Sequence, residues 1–226
     1  MQKESIAIIG GTGNQGFGLA LRWAGAGYRV VIGSRVRERA LSAADKVKAL
    51  LGSQVEVEGM ENPAAVARSP LVVLTVPFET QIQTLKSLRA AFRDGQMLVD
   101  VTVPLETAVG GKPTRMLGVW CGSAAEQAAQ YVPAGVTVTA AFHNVSAHLL
   151  NDLERPVDCD VFVCGESEEA RMQIRPWVEA IPGCRYVDGG QLANARIIEA
   201  ITALLVGVNR RYHVTSAGIR VTGLTT

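Results

Sequence analysis

Three groups of residues in this 226-residue chain have types and spacings suited to chemistry. The first is Gly11-Thr12-Gly13-Asn14-Gln15-Gly16, a G-x-G-x-x-G turn. Placed between a strand and a helix, such a turn aims free backbone N–H groups at phosphate oxygens, and the helix dipole adds to the attraction. In that pattern Gly11 allows the tight turn, Gly13 lets the backbone approach a pyrophosphate, and Gly16 lets helix and strand pack closely. The alternative is a purely structural glycine turn. The second group is Ser34-Arg35, with Arg37 and Arg39 close behind. The third is His143, in Ala141-Phe142-His143-Asn144. A histidine beyond a strand end can donate a hydrogen bond or relay a proton near neutral pH, or can serve only structure.

The second group decides which dinucleotide fits the first. An NAD site places Asp or Glu about 20 residues after the turn, to bind the ribose 2′-hydroxyl. No acidic residue occurs from Ser5 through Arg37. A hydroxyl and guanidinium groups at that place suit a 2′-phosphate instead, through charge-assisted hydrogen bonds. NADP(H) is therefore expected. The other explanation, a solvated basic helix start, is weakened because cations near a helix N-terminus oppose the dipole.

The elements that must position these groups follow from apolar patterning. Short buried-strand runs are expected at Ile6–Ile9, Arg29–Ile32, Val55–Val57, Leu71–Val76, Met97–Val103, Val136–Phe142 and Asp160–Cys164. Helices are expected at Gln15–Ala26, Arg37–Leu51, Glu79–Phe92 and Ala124–Tyr131, the last behind a Ser123/Glu126 capping box. Asn62-Pro63 opens a short helix ending near Arg68. Ile197, Ile198, Ile201, Leu204, Leu205 and Val208 mark one long C-terminal helix. Strands alternating with helices imply a doubly wound, mostly parallel α/β sheet of Rossmann type with a smaller C-terminal helical or α+β portion. Residues 1–145 form the expected nucleotide domain and 146–226 the smaller part, which completes the cleft.

In such sheets ligands lie beyond the carboxyl ends of the strands. Thr75-Val76-Pro77-Phe78, Thr102-Val103-Pro104 and Ala141–Ser146 occupy those ends. Asp100 and Glu79 are almost the only acids there, and neither a Ser-x-x-x-Lys nor a Tyr-x-x-x-Lys pair is present. That favours a hydride acceptor needing little protonation help, with the protein aligning two cofactors.

Composition excludes other classes. Lys plus Arg number 22 against 21 Asp plus Glu, leaving a net charge of +1 and no field to attract nucleic acid or an anionic membrane. Aromatic residues make up 5%, too few for a base-stacking platform. No uninterrupted apolar run approaches the ~18 residues of a bilayer span, and the N-terminal apolar run is too short for a signal peptide, so a cytoplasmic protein is expected. The four cysteines and three histidines lack local zinc spacing, so no metal site is expected and the thiols should be reduced.

The chain resembles the NADPH-dependent reductases of the 8-hydroxy-5-deazaflavin coenzyme F420 over essentially its whole length. The resemblance rests on Ile8–Gly16, Ile32–Arg35, Leu74–Glu79, Gly122–Glu126, Ala141–Asn144, Asp160–Gly165, Asn209–Tyr212 and Gly218–Arg220. It implies direct, reversible hydride transfer between NADPH and the deazaflavin, in a homodimer. It also implies that Thr12, Ser34, Arg35 and Arg39 hold the 2′-phosphate, and that Asn14 and Gln15 contact the pyrophosphate. Thr75, Val76 and Pro77 would flank the nicotinamide. Ala141, the His143 loop, Ala217 and Gly218 would belong to the deazaflavin side. Arg210, Arg211 and Arg220 could meet an anionic cofactor tail or simply favour a helix C-terminus. Two other functions compete: an NADPH reductase of a flavin, metal chelate or imine, and a non-catalytic NADP(H)-sensing module.

Overall fold

The computed structural model describes residues 4–224. Its centre is β1 (Ser5–Ile9), whose buried Ile6, Ala7, Ile8 and Ile9 face helices on both sides. The chain then alternates: α1 (Asn14–Gly25), β2 (Arg29–Ser34), α2 (Arg37–Leu51), β3 (Val57–Glu61), α3 (Asn62–Arg68), β4 (Leu71–Leu74), α4 (Gln81–Leu88), β5 (Met97–Asp100), α5 (Ala124–Tyr131) and β6 (Thr137–Ala140). It continues through α6 (Ala147–Asn151), β7 (Cys159–Gly165), α7 (Glu168–Glu179), β8 (Cys184–Gly190) and α8 (Ala195–Tyr212). The eight strands form one sheet in the order β3-β2-β1-β4-β5-β6-β7-β8. Neighbours are parallel except β6 and β7, which run antiparallel.

This is the doubly wound architecture expected, with two shifts. Several strands end earlier than their apolar runs: β4 at Leu74, β5 at Asp100 and β6 at Ala140. The residues that follow become loops at the carboxyl edge. The third strand lies two residues later than its expected start, over Val57–Glu61.

The C-terminal part extends the same sheet. One core layer joins Trp23 of α1 and Val47 of α2 to Leu150 of α6 and Ile174 of α7. The rings of Trp23 and Phe142 meet edge to face at 5.6 Å. The opposite layer joins Val66, Leu85 and Ala125 to Ile198 of α8. Buried Arg22 ties α1 to α6, donating to the carbonyls of Leu150 at 3.1 Å, Leu149 at 2.6 Å and Arg155 at 2.8 Å, and to that of Asp152. Gly18 permits this approach, because a Cβ there would lie 2.6 Å from Leu150 Cβ.

The stretch Leu192–Tyr212 has a mean hydropathy of 1.4 and, by length and composition alone, could cross a membrane. Isolated charges, among them Arg196 and Glu199, interrupt the apolar run. One of them, Glu199, is fully buried, and its carboxylate accepts from the N–H groups of Ala124 at 3.1 Å and Ala125 at 3.2 Å.

Candidate active site

The glycine turn closes between β1 and α1. Gly10, one residue before the fingerprint, takes the left-handed conformation (φ +83°), so the tight turn expected of Gly11 is made by Gly10. Gly11 instead packs beneath the turn and donates to the carbonyls of Ile8 and Gly33, both at 3.3 Å. Gly16 brings helix and strand together: a Cβ there would lie 2.5 Å from Thr75 Oγ1 and 2.8 Å from Gly11 Cα. Gly13 is the N-cap of α1, with no side-chain cap and no acid in the first turn. The leading amides of α1 are thus left to an anion.

Beyond this turn lies a cleft of about 540 Å³. Thr12, Gly13, Asn14, Gln15, Ser34, Arg35, Arg39, Thr75, Val76 and Pro77 all line it, as expected from the sequence. Gly10, Val36, Asn62, Thr80 and Thr84 line it too, and sequence reasoning did not assign them to it. In the sequence Asn62 carries only a helix-start signal, as the Asn of Asn62-Pro63. Pairing of Ser34 with Glu61 brings the end of β3, and with it Asn62, beside the end of β2. Thr75 is fixed by two bonds to the Ile9 carbonyl, from its N–H at 2.9 Å and its Oγ1 at 3.0 Å. The residues fit a phosphorylated dinucleotide. The N-terminus of α1 offers free amides; exposed Arg35 follows the end of β2, where an NAD site would carry an acid, and exposed Arg39 stands in the first turn of α2.

The deazaflavin-side candidates behave differently. Gln15 Nε2 donates to the Phe142 carbonyl at 3.3 Å, and Asn151 Nδ2 to the Asn14 carbonyl at 2.9 Å, so the 142–151 segment is tied to the turn. Ser146 Oγ donates to the Thr215 carbonyl at 3.3 Å, which brings the C-terminal tail alongside. Ala141, however, is fully buried in the core. The Ala217 N–H is bound by Asn209 Oδ1 at 2.9 Å, and a Cβ on Gly218 would contact Asp158 and Cys159. None of the three lines the cleft.

His143 does not reach the cleft either. Phe142 has φ +65°, and beyond this kink the imidazole is buried at 5% exposure with both ring nitrogens unpartnered. Burial lowers its pKa to about 3, so the ring is neutral. The sequence places His143 beyond a strand end as a hydrogen-bond donor or proton relay; the structure sets its ring in the interior, outside the residues that line the cleft. Asp100 and Glu199 lie beside it, with one ligand atom from each of the three within 4.8 Å of the others. The fold thus brings together from distant positions three residues of types that can ligate a cation, a grouping that local spacing does not reveal. Both carboxylates are already engaged by protein donors. Asp100 accepts from Gln81 Nε2 at 3.1 Å and Thr102 Oγ1 at 2.9 Å. Burial, reinforced by Glu199, raises the Asp100 pKa to about 8. Burial raises Glu199 to about 7 against its two backbone bonds.

Arg220 is committed to the scaffold, donating to Asp158 Oδ1 at 2.7 Å and to Asp160 Oδ1 at 2.8 Å. Arg210 and Arg211 stand exposed on the last turn of α8. The four cysteines are free thiols.

Comparison with known proteins bears on these features together. Residues 5–104 match the family model "NADP oxidoreductase coenzyme F420-dependent". An F420-dependent NADP reductase of Methanothermobacter thermautotrophicus is 48% identical over 221 residues, spanning 97% of this chain and 95% of the relative. Its counterpart in Methanocaldococcus jannaschii is 45% identical over 222 residues, spanning 97% and 98%. A solved structure from Arthrobacter sp. FB24, 24% identical, superposes with a TM-score of 0.82 over 97% of this chain and 99% of its own, which extends the likeness of fold to the C-terminal part. With 45% and 48% identity to these relatives over 97% of its length, the chain belongs to the F420-dependent NADP reductases.

Proposed function

We propose that the protein moves hydride directly and reversibly between NADP(H) and the deazaflavin coenzyme F420. The observation that carries this is the charge pattern of the cleft: a glycine turn opening a helix, then Ser34 and Arg35 at the end of β2 and Arg39 in the first turn of α2, with no acid among the lining residues. Family membership supplies the acceptor. When bound, the nicotinamide gives up the hydride and the deazaflavin ring receives it. The chain's own part is alignment and exclusion of water. Amides of α1, with Asn14 and Gln15, hold the pyrophosphate. Thr12, Ser34, Arg35 and Arg39 hold the 2′-phosphate. Thr75, Val76 and Pro77 wall the nicotinamide.

The loop after Ala141 and the Ala217-Gly218 tail shape the deazaflavin side. Their support is the set of bonds joining Gln15 to Phe142 and Ser146 to Thr215. The proton that accompanies hydride comes from solvent. His143 is a positioning residue: its ring is buried against the interior and its carbonyl accepts from Thr202 Oγ1 at 2.8 Å, next to the Phe142 carbonyl that accepts from Gln15. The enzyme works as a cytoplasmic homodimer without nucleic-acid or membrane partners. The exposed Ile197 and Leu204 of α8 support a subunit contact there. Residues 1–145 supply the nucleotide site and 146–226 complete the cleft.

The test is a spectrophotometric mix of protein, NADPH and oxidised deazaflavin, with NADH and free flavin as controls. Bleaching of the deazaflavin with NADPH alone is expected; none, with NADPH bound, would overturn the proposal. Arg35→Asp should weaken NADPH binding by ~2–5 kcal/mol and NADH binding far less. Equal losses would refute the 2′-phosphate role.

A further inference from the structure

Asn62 is the first residue of α3 and lines the cleft together with Ser34 and Thr75. Only 7% of it is exposed, and its Oδ1 is buried without a hydrogen-bond partner. It does not cap its own helix, whose N-cap is Glu61 with no side-chain bond. A buried amide left unsatisfied carries a free-energy cost, which a structural role would remove by pairing it. Its neighbour is shaped around it: a Cβ on Gly33 would lie 2.9 Å from Asn62 Oδ1. Register pairing of Gly33 with Met60 and Ser34 with Glu61 sets this amide beside the strand end that carries Ser34 and Arg35. Ser34 Oγ is itself partly engaged, accepting from the Val36 N–H at 3.2 Å.

We propose that Asn62 is a specificity-determining residue of the nucleotide cleft, its amide hydrogen-bonding the phosphorylated adenosine ribose. This rests on the reading of the cleft as an NADP(H) site. An amide is neutral, so it can serve a ribose hydroxyl without repelling the adjoining 2′-phosphate. A carboxylate at the same place would accept from two free ribose hydroxyls and repel the phosphate. The choice of Asn over Asp at position 62 thus backs up the absence of an acid at the end of β2.

The experiment measures dissociation constants of NADPH, NADH and 2′,5′-ADP by calorimetry for the full-length protein, Asn62→Ala and Asn62→Asp, with thermal melts as a folding control. Asn62→Ala should weaken NADPH and 2′,5′-ADP about five- to tenfold. It should leave the KM for the deazaflavin unchanged. Asn62→Asp should weaken NADPH by roughly fiftyfold or more while NADH binds as well as before or better, so that the preference ratio falls. NADPH affinity within twofold of the parent in both variants overturns the proposal, as does an equal loss for NADPH and NADH in Asn62→Asp. Arg35→Asp serves as the reference. If it abolishes the NADPH preference and the Asn62 variants do not, only Asn62 falls. If the parent protein itself shows no NADPH preference, the NADP(H) reading fails and takes the proposal with it.

Discussion

Two aspartates, Asp100 at the end of β5 and Asp160 in β7, are both fully buried in the same sheet, and their surroundings are opposite. Asp160 is clasped by Arg185 at 2.6 Å, Arg220 at 2.8 Å and the Val221 N–H at 2.7 Å. Burial pushes its pKa up, but these donors outweigh it and hold the group at about 2. Asp100 has an amide, a hydroxyl and a neighbouring acid, and burial wins. The sheet therefore carries an ionised carboxylate where the tail docks and a neutral one beneath the loop that flanks the cleft. Burial sets the cost in both places; the counter-charge decides which protonation state meets it.

Breaking the clasp should have the largest effect. Asp160→Ala leaves Arg185 and Arg220 without their shared partner and should cost about 3–5 kcal/mol in chemical denaturation. A loss below about 1 kcal/mol would show that the tail docks without this ion pair. The pH dependence has a defined sign. A depressed carboxylate contributes stability above its unfolded pKa of ~4, and this is lost as pH falls toward 2. Glu199→Ala comes next. It removes the acceptor for two amides at the start of α5 and should cost roughly 1–3 kcal/mol, with little change in NADPH affinity.

Asp100 should show the reverse pH trend. Its raised pKa means that folding retains a proton the unfolded chain gives up, so stability declines as pH rises from about 4 to about 8. Asp100→Asn should flatten this decline in melts taken from pH 5 to pH 9. Unaltered slopes would mean that Asp100 is ionised in the fold. The smallest effect is on rate. Because the His143 pKa is near 3, kcat should show no ionisation limb from this residue between pH 5.5 and 8. His143→Ala should lower kcat by a constant factor across that range. A limb near pH 6–7 that vanishes in the variant would restore His143 as the proton donor.

The nucleotide half of the molecule was the more legible in sequence. Its glycines, its acid-free strand end and the uninterrupted apolar strands are local signals, and α2 spans Arg37–Leu51 as the spacing indicates. The C-terminal half was less so. Helix α7 is polar and carries Pro176 in its last turn, although Ser167 Oγ accepting from the Ala170 N–H at 3.1 Å is a cap signal that was there to be read. Strand β8 ends in Gly189-Gly190 and is only half-buried, so it lacks the run that marks an inner strand. The grouping of Asp100, His143 and Glu199 depends on tertiary folding across about a hundred residues and no spacing rule reaches it. The helix that Asn62-Pro63 announces is there, with its cap one residue earlier at Glu61, but that Asn62 also lines the cleft follows from the pairing of β3 with β2, which no local signal shows.

The continuity of the sheet across β6 and β7 has a practical consequence for dissecting the protein. A chain stopped at residue 145 would end with β6 as a bare edge, Trp23 and Phe142 stripped of their cover from α6 and α7, and the first amides of α5 without Glu199. Such a fragment would present both an open strand and apolar surface to its neighbours and would self-associate. Nucleotide binding is therefore to be studied on the intact polypeptide. Attempts to graft the amino-terminal half onto another partner, as a portable NADP module, would need to carry β7 and α8 along with it.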